Sequence, residues 1–417
     1  MNSVEQASTI ETTDVAIIGA GPSGAIAAGL LRKNGHKVTI LERQHFPRFS
    51  IGESLLPHCM QFIEEAGMLD AINHGGFQFK NGAAFIKNGN YTCFDFTKKF
   101  STGPGTTFQV QRAKFDHLLA QEAETAGADL RYGHSIEAVK LLNDGAELTV
   151  SPENAETYTV KCNFLLDASG FGRVLPRLLD LEAPSNFPSR TSVFTHIEDN
   201  IAHPDHDRDK ILITVHPENN DIWYWLIPFG EGRSSIGVVL ENKHLEGCSN
   251  DNEATLKQFI SEAPDLNNLL NSAKFDTPVQ RITGYSSNVK SLWGDNFALL
   301  GNAGEFLDPV FSSGVTIAMR SASMAAPLVS KQLNNETVDW ENDYAKPLKQ
   351  GVNTFRTYVE AWYDGRFQDI IFTDNEQSER IREMISSILA GYAWDTENPY
   401  VAEAERRLNT LVEVCHA

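Results

Sequence analysis

One stretch, Asp14–Glu42, DVAIIGAGPSGAIAAGLLRKNGHKVTILE, constrains this chain more than any other. Val15, Ile17 and Ile18 make a short apolar strand, and Gly19, Gly21 and Gly24 then set G-x-G-x-x-G where a helix must begin. Gly19 permits the tight turn, Gly21 lets a pyrophosphate approach the main chain, and Gly24 lets helix and strand pack closely. Ser23 lies in the same turn, and the helix start offers free N–H groups and the positive end of its dipole to phosphates. Ala25, Ile26, Ala28, Leu30 and Leu31 continue the helix, Gly35 caps it, and Val38–Leu41 form a second strand. Glu42, with Arg43 beside it, ends that strand where its carboxylate meets adenosine ribose hydroxyls. A lone glycine triplet is weak evidence. Strand, turn, helix and acid in this order predict a dinucleotide site.

The chain has 417 residues and 41% hydrophobic residues, enough for a large core divided into two or three domains. Lys plus Arg number 35 against 55 Asp plus Glu, a formal charge of −20, which argues against nucleic acid and polybasic membrane attachment, both partners being anionic. No apolar run approaches the roughly 18 residues that a bilayer span needs, so no span is expected. Residues 1–13 are polar, without a cationic start and apolar run, so no secretory leader is expected. Five scattered cysteines never form C-x-x-C; they read as reduced thiols of a cytoplasmic protein, with neither a metal site nor a disulfide frame.

After the first βαβ unit a polar loop, Ser50–Ser54, precedes a helix from about Pro57 to Ala66. Residues 76–110 alternate apolar and polar between turn signals and predict antiparallel strands. A helix is predicted over Arg112–Thr125, with Phe115, Leu118, Leu119 and Ala120 on its apolar face. Strand-like runs follow up to DASG at 167–170, and β-rich sequence over 186–280 should build one large sheet with the strands near 80–110. At FALLGNAGEFLDPVFSSGV a strand, a glycine loop and a long helix return the chain to the nucleotide. The tail is helical and aromatic.

These segments form an ordered set: GAGPSG at 19–24, GES at 52–54, QRAKFD at 111–116, DASG at 167–170 and GNAGEFLDP at 301–309. In this order the chain resembles the flavoprotein monooxygenases of the hydroxybenzoate-hydroxylase fold over most of residues 14–330. Within them it is most similar to the flavin-dependent halogenases of the pyrrole and phenol type. Trp223-Tyr224-Trp225-Leu226-Ile227-Pro228 matches W-x-W-x-I-P, and Phe306 to Gly314 matches F-x-x-P-x-x-x-S-x in form. The resemblance implies an α/β (α+β overall) chain. A Rossmann-like FAD-binding domain (1–80, 105–185, 281–334) interleaves with an antiparallel-sheet substrate domain (81–104, 186–280), followed by a helical C-terminal region (335–417).

It also implies a chemistry. Reduced FAD and O2 give a flavin C4a-hydroperoxide, chloride or bromide attacks its distal oxygen, and hypohalous acid travels to a separate pocket where a lysine directs it onto a phenol, pyrrole or aryl-polyene-type precursor, free or bound to a carrier protein. Position by position, Ser54, Arg112, Asp167 and Asn302 fall along the cofactor, Asp308 and Pro309 beside the isoalloxazine, and Gly314 and Val315 at the start of a helix aimed at the flavin. Ser313 and Gly314 offer N–H groups to a halide; an ordinary helix entry is the alternative for Gly314. Lys80, in GGFQFKNGAAF, matches the family lysine; alternatively it is a strand lysine with its head in water. Trp223 and Trp225 share one strand face and either crowd the substrate's path to the flavin or are plain core. His196 and His216 read as structural histidines, with a role as bases the alternative.

Asn302 stands where the family usually has Asp, keeping the hydrogen bond without the charge, and the region after 330 is shorter than in many halogenases. A single G-x-G-x-x-G leaves none for a nicotinamide cofactor, so a separate flavin reductase is expected. The competing expectations are a hydroxylase, ene-reductase or protein-maturation flavoprotein on the same fold, and a non-catalytic flavin-binding partner.

Overall fold

Strand Ile10–Ile18 lies at the centre of an eight-stranded sheet because Val15 to Ile18 are buried from both sides. In the computed structural model, which describes residues 9–204, 206–373 and 378–416, this strand runs parallel to Val38–Glu42 and to Tyr158–Asp167. Asp129–Tyr132 and Phe297–Leu299 extend the parallel set outward, and the hairpin His134–Leu142/Gly145–Pro152 adds to it antiparallel. The expectation of no secretory leader in residues 1–13 falls largely outside the described residues. Helix Pro22–Lys33 packs across the sheet against helix Ser313–Leu333. On another side Gly29 admits the segment that follows helix His58–Ala66: a Cβ there would stand 2.7 Å from the Met68 side chain. The helix ends at Asn34, and Gly35 follows at φ +86° as the left-handed residue that closes it.

A second, seven-stranded sheet runs in the order 280–283, 190–198, 233–241, 223–228, 210–215, 82–87, 90–95. It is antiparallel except that Lys210–Val215 lies parallel to Gly82–Lys87. Every residue of Trp223–Pro228 is buried, because both sheet faces are covered. Trp223, Trp225 and Ile227 face the C-terminal helices through Tyr358, Trp362 and Phe367. Tyr224 and Leu226 face helices Asn252–Ser261 and Pro264–Leu269 through Leu256, Phe259 and Leu266. The aromatic tail residues Tyr358, Trp362 and Phe367 are therefore core.

The expectation of one sheet from residues 76–110 is corrected. Only Gly82–Lys87 and Asn90–Asp95 join the large sheet, while Gln78–Lys80 pairs with Thr107–Gln109 as a separate ribbon. The reason lies in the GES loop, which takes the ribbon's free edge: Leu55 N donates to Phe108 O and Val110 N to Glu53 O.

Candidate functional site

The three glycines of the first turn do different work. Gly19 adopts φ +96°, and a Cβ there would stand 2.7 Å from Ala168 O. A Cβ on Gly24 would stand 2.0 Å from Gly19 O, so helix and turn touch backbone to backbone. Gly21 instead faces open space, with only the Arg48 guanidinium within 4 Å of where its Cβ would be. It opens on a cavity of about 500 Å³ that Gly19, Gly21 and Ser23 line at one end and Trp223, Trp225, Pro309 and Gly314 at the other.

Glu42 and Arg43 line this cavity beside the glycine turn. Both Glu42 oxygens accept backbone bonds, Oε2 from Ala20 N and Oε1 from Gln44 N, each at 2.9 Å. The carboxylate thus fixes the turn, and its remaining lone pairs can accept a ribose hydroxyl. Arg112, at the start of helix Arg112–Thr125, binds Asp116 through Nε and Nη2 and reaches back to Ile51 O and Gly52 O through Nη1. Arg48 donates to the same Asp116 at 2.8 Å. Two guanidiniums share one carboxylate, and the net positive charge faces the phosphate turn. Arg48 carries no motif in the sequence; only the fold brings it to Gly21.

Farther along, Asn302 sits in the turn Gly301–Ala303 with its Oδ1 buried and unpartnered among the described residues. A ribityl hydroxyl is the kind of donor this acceptor lacks. Helix Ser313–Leu333 begins beyond it, after Ser312 at φ +54°. Ser312, Gly314 and Val315 line the cavity, whereas the buried Ser313 does not and would reach a halide through its backbone N–H alone. The glycine turn, the paired arginines, the orphan Asn302 acceptor and the open helix start fit a dinucleotide ending in a polar ring system.

Asp167 and Asp308 stand behind the cavity wall rather than in it. Asp167 is fully buried and holds the Ser169–Leu175 loop through Ser169 N and Leu175 N, and burial raises its pKa. Asp308 accepts from Val310 N and from the Tyr363 hydroxyl; burial pushes it up to about 6, against the opposing pull of Arg190. Tyr363, at the end of helix Lys346–Tyr363, also accepts a bond from Trp223 Nε1 at 2.9 Å. Trp225 Nε1 donates to Ser235 Oγ at 3.0 Å, and its ring lies over Gly237, where a Cβ would come within 2.3 Å. Both indoles are thus held in place by their Nε1 bonds and line the cavity with Ile211 and Ile227.

Lys80 is 0% exposed. Its Nζ donates to Ser54 Oγ at 2.7 Å and to Leu55 O at 2.8 Å, with the Phe96 ring 5.5 Å away. Burial pushes its pKa down to about 7, which brings the uncharged amine within reach of neutral pH. Ser54 lines the cavity and Lys80 lies directly behind it, so the solvated strand lysine is not what the chain builds. His216 closes a turn, accepting from Glu218 N and Asn219 N. His196 is different: its Nε2 meets Glu53 Oε1 at 2.6 Å in the GES loop. Sequence reasoning passed over Glu53 as a loop residue.

This fold and cavity define an FAD-dependent flavoenzyme: residues 12–340 match the FAD binding domain family, to which the chain belongs. Its relatives narrow the class to the flavin-dependent halogenases. The chain is 30% identical to flavin-dependent halogenase armH3 of Armillaria mellea, over 79% of this chain and 69% of that protein. It is 28% identical to the 1H-pyrrole-2-carbonyl-[peptidyl-carrier protein] chlorinase of Pseudomonas fluorescens, over 96% and 94% of the two chains. Among solved structures, a flavoprotein/dehydrogenase from Cytophaga hutchinsonii superposes with a TM-score of 0.94 at 40% identity, covering 97% of this chain and 99% of that one. Among the described residues no helix is long and apolar enough to cross a membrane.

Proposed function

We propose that the chain halogenates an electron-rich aromatic ring, a phenol, pyrrole or aryl-polyene-type precursor, free or carrier-bound, with FADH2, O2 and chloride or bromide as co-substrates. FAD would lie along Gly19, Gly21, Ser23, Gly24, Glu42, Arg43, Arg48, Arg112 and Asn302 toward Pro309, Gly314 and Val315. When bound in its reduced form it supplies the two electrons that O2 needs to convert halide into an electrophilic halogen. The N–H groups of Ser313 and Gly314 hold the halide by charge at the helix start. Trp223 and Trp225 exclude the organic substrate from the flavin's face. Ser54 hands the electrophile through the wall to Lys80, whose amine carries or orients it.

The observation that supports this most directly is Lys80 itself, a fully buried lysine bonded to a hydroxyl of the flavin cavity. A separate reductase belongs to the same proposal, as do work in the cytoplasm and a carrier-bound substrate of the kind named for the Pseudomonas relative. The protein, supplied with FAD, a flavin reductase, NADH, O2 and bromide or chloride, is tested by mass on free phenols and pyrroles and on pyrrole-carboxyl groups loaded on a carrier protein. A halide-dependent mass gain supports the proposal, and hydroxylated product independent of halide would sink it.

One observation favours a second reading, a flavin dehydrogenase. Lys80 does not itself line the flavin cavity, and the 40%-identical neighbour is described as a flavoprotein/dehydrogenase. Reduction of bound flavin by an organic substrate without oxygen or halide would establish that reading instead.

A further inference from the structure

Glu53 stands where two cavities meet. It lines the flavin cavity together with Gly52 and Ser54, and it also lines a second cavity of about 470 Å³ formed by Phe49, Arg112, Lys114, His117 and His196. Its side chain is 1% exposed, whereas the His196 side chain is 21% exposed. Val110 N donates to Glu53 O at 2.7 Å and anchors the backbone. Phe49 and Phe229, with centroids 5.9 and 5.2 Å away, flank the imidazole.

The carboxylate is bonded unlike its buried neighbours. Glu42, Asp116 and Asp167 each have both oxygens accepting hydrogen bonds. Glu53 Oε1 meets His196 Nε2 at 2.6 Å, but Oε2 is buried with no partner among the described residues. A carboxylate kept only to brace a loop is ordinarily satisfied at both oxygens, because an orphaned buried acceptor costs about 1–3 kcal/mol.

We propose that His196 and Glu53 form a proton relay between the second cavity and the flavin cavity. The imidazole takes a proton from solvent at Nδ1 and passes the one on Nε2 to Glu53 Oε1. The neutral carboxyl then rotates to carry that proton to the side of Oε2 and releases it to an acceptor in the flavin cavity, while the imidazole returns from its Nδ1–H to its Nε2–H tautomer by proton exchange with solvent, which restores both groups. The relay rests on the proposed halogenation, whose balance requires it: ring C–H, FADH2, halide, O2 and one proton give ring C–halogen, FAD and two waters. One proton per turnover must therefore enter the flavin cavity.

The experiment uses the FAD-loaded enzyme with its reductase and compares wild type, His196→Ala and the near-isosteric Glu53→Gln. Both variants are expected to bind FAD with wild-type affinity and to lower the rates of flavin reoxidation and halogenated product at least about tenfold. Added imidazole is expected to restore His196→Ala and to leave Glu53→Gln unrestored. Without turnover, FAD binding is expected to move the His196 ring ¹⁵N signals in wild type and far less in Glu53→Gln. Wild-type rates in both variants, or a loss in His196→Ala that imidazole does not reverse at unchanged FAD affinity, would overturn the relay. If wild type reoxidises flavin but yields no halogenated product, the functional proposal fails by itself, and the relay is then judged on flavin reoxidation, its rescue and the ¹⁵N signals.

Discussion

Lys80 Nζ donates to Ser54 Oγ over 2.7 Å, joining a residue wholly removed from solvent to one that lines the flavin cavity. Burial lowers the lysine pKa from 10.5 to about 7. In that window the unfolded chain binds the proton and the folded chain does not, so stability rises with pH by at most about 1.4 kcal/mol per unit. Lys80→Met, which has no such proton, is expected to gain most over wild type below pH 7 and progressively less up to 10.5. Urea unfolding of both proteins across this range measures it; parallel pH curves would show that Lys80 is not desolvated.

Tyr363 ties three elements together, donating to Asp308 and accepting from Trp223 Nε1. Tyr363→Phe leaves an indole N–H and a buried carboxylate each short of a partner, and about 1–3 kcal/mol of stability is expected to go with them. The same variant is expected to loosen Trp223, read as a change in its fluorescence. Unchanged unfolding and emission would mean that water replaces the hydroxyl.

Gly237 makes room for an indole. A Cβ there would stand 2.3 Å from the Trp225 ring, and Trp225 lines the cavity. Gly237→Ala is expected to push the ring inward, cost about 1–3 kcal/mol in packing and weaken FAD about tenfold. Flavin fluorescence titration and denaturant unfolding report the two effects. Wild-type FAD affinity would place the ring's movement away from the cofactor.

Arg48 faces the Gly21 turn at 3.6 Å from the position of a Cβ. Arg48→Ala is expected to raise the FAD dissociation constant about tenfold or more, the cost of one charge-assisted phosphate contact. The loss shrinks as salt is added, because salt screens the missing charge. An affinity that ignores Arg48 at low salt would remove it from the phosphate site.

What the sequence made legible was local chemistry. The glycine turn was readable because each glycine's task depends on backbone within a few residues. The Trp223–Pro228 strand was readable as a strand with both indoles on one face, but not as one covered on both faces, for which the reason lies in helices at 252–269 and after 346. Contacts closed by tertiary folding left no periodic trace. Lys80 and Ser54 are 26 residues apart, Tyr363 and Asp308 55, and His196 and Glu53 143. The separate ribbon at 78–80 was missed for the same reason: its partner along the free edge is the GES loop, which no alternation pattern encodes. Asp167, at the end of its strand, and Asp308, in the loop before helix Ser313–Leu333, stand one layer behind the cavity, and sequence does not distinguish a carboxylate that holds a loop from one that faces a ligand.

The central claim is that Lys80 converts flavin chemistry into ring halogenation. The direct measurement is halogenated product formed per flavin oxidised in wild type and Lys80→Ala, with FAD occupancy of both followed by absorbance and peroxide release counted. Wild type is expected to give halide-dependent product, and Lys80→Ala to oxidise flavin at a similar rate, release peroxide or free hypohalous acid, and lose product at least about a hundredfold. Equal product per flavin in the two proteins would contradict the account.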